Sequence, residues 1–192
     1  MSITRRITFA ATFTLCCIVL LTTAARLEEK YFRIQYIDNF STKASLLQNT
    51  LGLPHGIFLQ KPSNISFTLN NEQAKFVFTK APDAIVGYST NLSKSNMLGV
   101  DLSLYDVIEL SAVFPEGKPF ILRLFNTQNL STTNDGFIIP INQYLSEGTV
   151  FRIPLSAYPE FDLHNIARMT IEPAYNGKGI FQINNIRIID YN

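Results

Sequence analysis

From Tyr31 onward, apolar and polar positions alternate with a period of two, and no stretch longer than about ten residues keeps the 3.6-residue spacing of a helix. The pattern predicts an all-β body. Phe32, Ile34 and Tyr36 alternate with Arg33, Gln35 and Ile37 in a first strand ending near Asp38-Asn39-Phe40. Residues 41–56, with Leu51-Gly52 and Pro54, read as a long connection. Ile65, Phe67 and Leu69, the turn Asn70-Asn71-Glu72, and Ala74, Phe76 and Phe78 spell the clearest local hairpin. Residues 84–90 make a further strand. Residues 101–126 hold two apolar-rich runs joined by Pro115-Glu116-Gly117-Lys118, which predicts a hairpin at the centre of the fold. Beyond a polar loop over 126–135, residues 137–141, 149–155, 166–171 and 179–190 read as four more strands. About nine short strands between turn signals suit a two-sheet β-sandwich, and a jelly roll is one way to bury both inner faces.

Alternation also sorts side chains by face. Ile108, Leu110, Ala112 and Phe114 form an inward set that leaves Val107, Glu109, Ser111 and Val113 outward. Phe120, Leu122 and Leu124 point inward against Ile121, Arg123 and Phe125, and Met169 and Ile171 against Arg168, Thr170 and Glu172. The candidate ligand face is Tyr88, Glu109, Arg123, Phe125, Arg168 and Glu172. Aromatic rings offer a surface for sugar C–H groups, and planar arginine and carboxylate groups hold vicinal hydroxyls. The same charged residues also read as cross-strand ion pairs on a solvated face, and Ile121, Phe125 and Val113 as contacts for a protein partner. A ligand face here requires Glu109, Arg123 and Phe125 to be exposed on one surface; buried or scattered, they leave only the fold.

Composition narrows the classes. The 192 residues carry a net charge of +1 with lysine and arginine scattered, which sets nucleic acid aside as the main partner. Arg5 and Arg6 precede residues 7–25, an uncharged apolar run that predicts one N-terminal hydrophobic helix serving as a targeting segment. Thr22-Thr23-Ala24-Ala25 offers small residues for cleavage of a signal peptide over 1–25. At about 1.5 Å per residue the same run reaches about 28 Å, close to the ~30 Å an uncleaved anchor must cross. Both fates stay open. Either places the single domain, 31–192, on the non-cytoplasmic side, secreted or membrane-anchored through residues 7–25. Cys16 and Cys17 fall inside this run, so the body has no thiol. No Gly-x-Ser-x-Gly, His-Glu-x-x-His or glycine-rich phosphate loop occurs, and His55 and His164 lie far apart, so the expectation is a binding protein and not an enzyme. Asn64, Asn91 and Asn129 head Asn-x-Ser sequons, no more than composition yields by chance.

One group of proteins is similar in the order of its short motifs. Ile37-Asp38-Asn39-Phe40 with Asn49 and Leu51-Gly52, then Asp101-Leu102-Ser103 and Tyr105-Asp106, Gly117-Lys118-Pro119-Phe120, Phe151-Arg152-Ile153-Pro154-Leu155-Ser156, Asp162-Leu163 with Asn165-Ile166, and Phe181-Gln182-Ile183 with Asn185-Ile186 span most of 31–192. The chain resembles the galactose-binding-like jelly rolls of carbohydrate-binding modules and the related domain of complex I intermediate-associated proteins of about 30 kDa. The resemblance implies that fold, and either a glycan or a protein partner. The chain departs from the sugar binders in having no tryptophan, their commonest stacking platform. Jelly rolls of this kind often hold a structural Ca²⁺ where first and last strands meet, which nominates Asp38 and Asp190. Two carboxylates fall short of the six to eight oxygens calcium takes.

Overall fold

The computed structural model describes residues 33–40, 48–70, 73–93, 99–127 and 136–191. The predicted N-terminal helix and Asn129 lie outside the described residues. Within them, seven strands form one antiparallel sheet: β1 (Arg33–Asp38), β3 (Asn64–Asn70), β4 (Gln73–Lys80), β6 (Val107–Val113), β9 (Leu145–Glu147), β10 (Val150–Pro154) and β12 (Gly177–Asp190). Their order is β3-β4-β12-β6-β10-β9, with β1 paired to the C-terminal half of β12. The second sheet has five strands: β2 (His55–Leu59), β5 (Val86–Asn91), β7 (Phe120–Asn126), β8 (Phe137–Pro140) and β11 (Ile166–Pro173), in the order β2-β5-β11-β7-β8. The only helical pieces among the described residues are single 3₁₀ turns at Leu102–Leu104, Asn142–Tyr144 and Leu155–Ala157.

The inward sets meet between the sheets. Ile108, Leu110, Ala112, Phe120, Leu122, Leu124, Met169 and Ile171 are all buried, as period-two alternation requires of a sandwich strand. Phe181 of β12 lies among four other rings, 4.6 Å from Phe76, 5.3 Å from Phe120, 6.0 Å from Phe78 and 6.3 Å from Phe114 between ring centres. Because Phe120 belongs to the opposite sheet, this cluster joins the two layers.

The expected hairpin at 65–78 forms, with Leu69 opposite Ala74. The expected hairpin at 101–126 does not. β6 and β7 belong to different sheets, so Pro115 to Pro119 form an arch that carries the chain across the sandwich. Phe114 and Phe120 explain the crossing: both point inward, and they stack 4.1 Å apart with the two sheets on either side. The Lys118 N–H donates to the Pro115 carbonyl (3.2 Å), and Gly117 takes the left-handed conformation the turn needs (φ +64°). Two strands lie where none was expected, β2 and the three-residue β9. In β1 a bulge between Tyr36 and Asp38 breaks the alternation, so Ile37 and Asp38 are both buried while Tyr36 is exposed.

Replacing Phe181 with Ala removes the ring that joins the layers and is expected to lower unfolding free energy by about 3–5 kcal/mol. The exposed Val113→Ala is expected to stay within about 0.5 kcal/mol. Urea unfolding monitored by tyrosine fluorescence checks both, and equal effects would mean that Phe181 does not hold the layers together.

Candidate functional site

β11 runs between β5 and β7, and its inward residues Met169 and Ile171 leave Arg168, Thr170 and Glu172 on the outer face. Register fixes their neighbours. Arg168 is opposite Phe125 on β7 and Asn91 on β5, Thr170 is opposite Arg123 and Ser89, and Glu172 is opposite Ile121. On the far side of β5, β2 sets Gly56 against Ser89 and Phe58 against Gly87. Gly87 is required here, since a Cβ would meet the Ile171 carbonyl oxygen at 2.2 Å. Between Phe58 and β11 the face carries the small residues Gly87 and Ser89, with Asn91 beside them opposite Arg168. The Arg168 guanidinium reaches over it, 4.1 Å from the Phe125 ring centre and 5.6 Å from that of Phe58.

Two arginines share this face in different states. Arg123 makes a bidentate pair with Glu172, Nε donating to Oε1 (3.2 Å) and Nη2 to Oε2 (3.0 Å), and the Thr170 hydroxyl also donates to Oε1. Arg123 and Glu172 are buried, and Gly136 packs so closely on the Arg123 stem that a Cβ would lie 2.5 Å from Cγ. Arg168 is half-buried, and among the described residues its guanidinium donates no hydrogen bond; its Nε is buried without a partner. Burial lowers its pKa, and the Glu172 charge only partly offsets that. Lys80, reaching across from β4, donates to the Pro173 carbonyl (2.7 Å). Its pKa is also lowered, by burial first, with Glu172 raising it and Arg123 lowering it further.

Of the six residues expected on one face, the structure brings together Arg123, Phe125, Arg168 and Glu172. Glu109 lies elsewhere, because β6 is in the seven-stranded sheet and its outer side is the opposite surface of the sandwich. There it is buried between its direct cross-strand neighbours, accepting from Arg152 Nε (3.0 Å) and Arg187 Nε (2.7 Å). Tyr88 points inward with Val86 and Thr90, and its hydroxyl donates to Asp38 Oδ2 (2.6 Å). Burial, with the Asp38 charge beside it, pushes that hydroxyl well above its ordinary pKa. Glu109, Arg123 and Phe125 are 3%, 7% and 0% exposed and lie on two surfaces, so the ligand face expected of these three fails, and a site on this sheet has to rest on other residues. The accessible outer face carries Arg168 with Asn91, Ser89 and Phe58 on one side of β11 and Ile121, Ile138 and Pro140 on the other.

Asp38 and Asp190 do sit on paired strands, but at opposite ends. Asp190 is opposite Arg33, while Asp38 is opposite Ile186, four residues or roughly 13 Å away along the strand. Asp38 is already engaged by His55 Nδ1, the Tyr88 hydroxyl and the Phe40 N–H (3.2 Å). Among the described residues no group of three or more His, Cys, Asp or Glu is placed to hold a metal, and these two aspartates do not share a site. At the surface, His164 Nδ1 lies 3.1 Å from Asp101 Oδ2, and the Ser103 hydroxyl donates to Asp101 Oδ1 (2.5 Å) while facing the same ring nitrogen at 3.4 Å. Hydroxyl and carboxylate meet one side of the imidazole rather than bracketing it, so the three do not line up as nucleophile, base and orienting acid.

Phe58 and Lys80 were not foreseen. The signal for Phe58 is the short apolar run Ile57-Phe58-Leu59 between Gly56 and Pro62, compatible with an edge strand. Nothing local marks Lys80, whose partner Pro173 is 93 positions away.

No protein-family model matches the chain, and no curated protein matches it in sequence. Solved structures do match. A family 11 carbohydrate-binding module of a cellulosomal cellulase of Clostridium thermocellum superimposes with a TM-score of 0.56 at 17% identity, covering 81% of this chain and 94% of the module. The Clostridium thermocellum family 11 module in complex with a β-1,3-1,4-mixed-linked tetrasaccharide gives 0.54 at 18% identity, covering 82% and 95%. A solution structure of a family 11 module gives 0.51 at 17%, covering 82% and 95%. The likeness is one of fold: the chain shares the two-sheet jelly-roll sandwich of these modules.

Proposed function

We propose that this chain is a non-catalytic carbohydrate-binding module whose ligand lies on the outer face of the five-stranded sheet, around Arg168. The observation that carries the reading is the Arg168 guanidinium, laid on the Phe125 ring with Phe58 beyond it and its donors unused among the described residues. A flat donor group over small residues, beside the half-buried Phe58 and Asn91, combines the two features that sugar recognition needs: apolar surface for ring C–H groups and fixed hydrogen bonding for hydroxyls. The fold supports this reading, since a similarly folded module was solved in complex with a mixed-linked tetrasaccharide.

Glycan-array screening followed by calorimetry on the best ligand tests it. Arg168→Ala is expected to weaken binding about tenfold or more, the loss of one charge-assisted donor set. Arg123→Ala acts differently: it strands the buried Glu172 carboxylate and is expected to cost about 3–5 kcal/mol of stability, read as a lower melting temperature. No binding to any glycan, together with stoichiometric co-purification of a protein, would overturn the reading.

The module is further proposed to work outside the cytoplasm, delivered by residues 7–25 as a cleaved signal or retained anchor. N-terminal sequencing of the mature protein checks this. A start near residue 26 indicates cleavage, an intact N-terminus in the membrane fraction indicates an anchor, and an intact N-terminus in the cytosol would refute export.

A further inference from the structure

The two sheets end on the same flank of the sandwich, in β3 and β2, which residues 60–63 join. An end strand presents a row of backbone N–H and carbonyl groups with no strand beside it, a template for pairing with another chain. Three other edges are blunted. β8 has four residues and closes on Pro140, β9 has three and carries Glu147, and the edge of β1 is met by Thr50, whose N–H and hydroxyl both donate to the Ile37 carbonyl. β3 has none of these devices. Its seven residues, Asn64–Asn70, hold a regular register against β4 without a bulge, and none of them is charged or proline. Among the described residues, its backbone bonds nothing except β4.

Beneath this edge the space between the sheets is apolar and open. Ile57 and Leu59 share the inward side of β2 with the buried His55, yet at the end of their sheet they are left 40% and 37% exposed. On β3, Phe67 and Leu69 pack against the core and stay half-buried, while Asn64, Ser66 and Thr68 are exposed on the outer side.

The strand is its own complement. Turned antiparallel about Phe67, two copies of β3 set Ser66 opposite Thr68 on the outer face and Ile65 opposite Leu69 on the inner, with Phe67 facing Phe67. Polar meets polar, apolar meets apolar, and no charge meets its like. The same two-fold brings the β2 edges of both copies to one flank, where Ile57 and Leu59 of each cover those of the other. A lone strand from another protein would answer the open hydrogen bonds only; a second copy answers the exposed apolar side chains as well. We infer that the chain forms a two-fold dimer through β3, with the seven-stranded sheets of two copies joined edge to edge. Seven paired residues at about 3.4 Å each make a seam of about 24 Å.

Sedimentation of the full-length chain in mild detergent, with the detergent mass subtracted, tests this. The expected result is an average mass that rises from one chain toward two as the concentration goes from about 1 to 100 µM. Ser66→Glu with Thr68→Glu sets like charges opposite each other at both polar pairs and is expected to raise the dissociation constant at least about tenfold. Both positions are exposed, so the melting temperature is expected to stay near wild type. Ser66→Lys with Thr68→Glu makes the same pairs attractive and is expected to keep the dissociation constant within about threefold of wild type. Val113→Glu, exposed on the same sheet away from β3, is expected to leave the dimer unchanged. Should the double glutamate variant fold poorly, Ile57→Glu carries the test, with at least about fivefold weaker association expected from charging the shared flank. One-chain mass at every concentration overturns the inference. So does a dimer that the double glutamate variant leaves intact, since association then runs through another surface, and so does equal loss of the dimer in the glutamate pair and the lysine–glutamate pair.

Discussion

The rest of the molecule depends on the exclusion of water between two sheets by aromatic rings contributed from both. Phe76 and Phe181 from one sheet and Phe120 from the other, with Phe114 at the mouth of the arch, occupy the gap. Rings of this size bury about 150–250 Å² each, and at about 25 cal/mol per Å² they dominate what holds the layers together. Once that gap is dry, every strand crossing it must give alternate residues to the inside, and the residues in between are forced onto the outer surfaces. Arg168 stands outside because Met169 and Ile171 stand inside. The outer face around Arg168 is thus a by-product of core packing, and its backbone inherits the rigidity of the sandwich.

Four polar groups caught beneath the surface are tied to partners far away in sequence. Asp38 takes His55 and Tyr88, linking the first strand to the edge of the second sheet. Asn49 donates to the Thr90 hydroxyl (2.8 Å) and the Asn91 carbonyl (2.7 Å) and accepts from the Leu51 and Leu53 N–H groups, so the connection after β1 is pinned to β5. Glu109 and Glu172 are held by arginines. A buried carboxylate that lost its partner would cost several kcal/mol, which makes each tie a strong constraint on register even where it adds little net stability.

How much of this was legible in the sequence follows from range. The inward sets of β6, β7 and β11 and the β3–β4 hairpin are local patterns, and alternation gives them correctly. The β6–β7 pair shows where locality ends. Two amphipathic runs around Pro115-Glu116-Gly117-Lys118 look alike whether they pair edge to edge in one sheet or face each other across the core, and only the stacking of Phe114 on Phe120 decides. That single ambiguity moved Glu109 to the opposite surface from Arg123. Tyr88 was misplaced for a related reason: a phenol with a polar tip suggests a surface, and Asp38, which satisfies that tip, lies 50 positions earlier.

Arg123 and Arg168 then show why residue type and face do not by themselves specify a binding group. Both are arginines on one outer face, on adjacent strands, within the influence of one glutamate. Glu172 has two oxygens, and Arg123, opposite Thr170, takes both in the bidentate geometry that carboxylate and guanidinium share. What remains for Arg168 among the described residues is the rings of Phe125 and Phe58, which support a cation but accept no hydrogen bond in the guanidinium plane. Saturation of Glu172 by one arginine therefore leaves the other, among the described residues, without a carboxylate partner. The distinction lies in the occupancy of a carboxylate, a property that no reading of strand alternation contains.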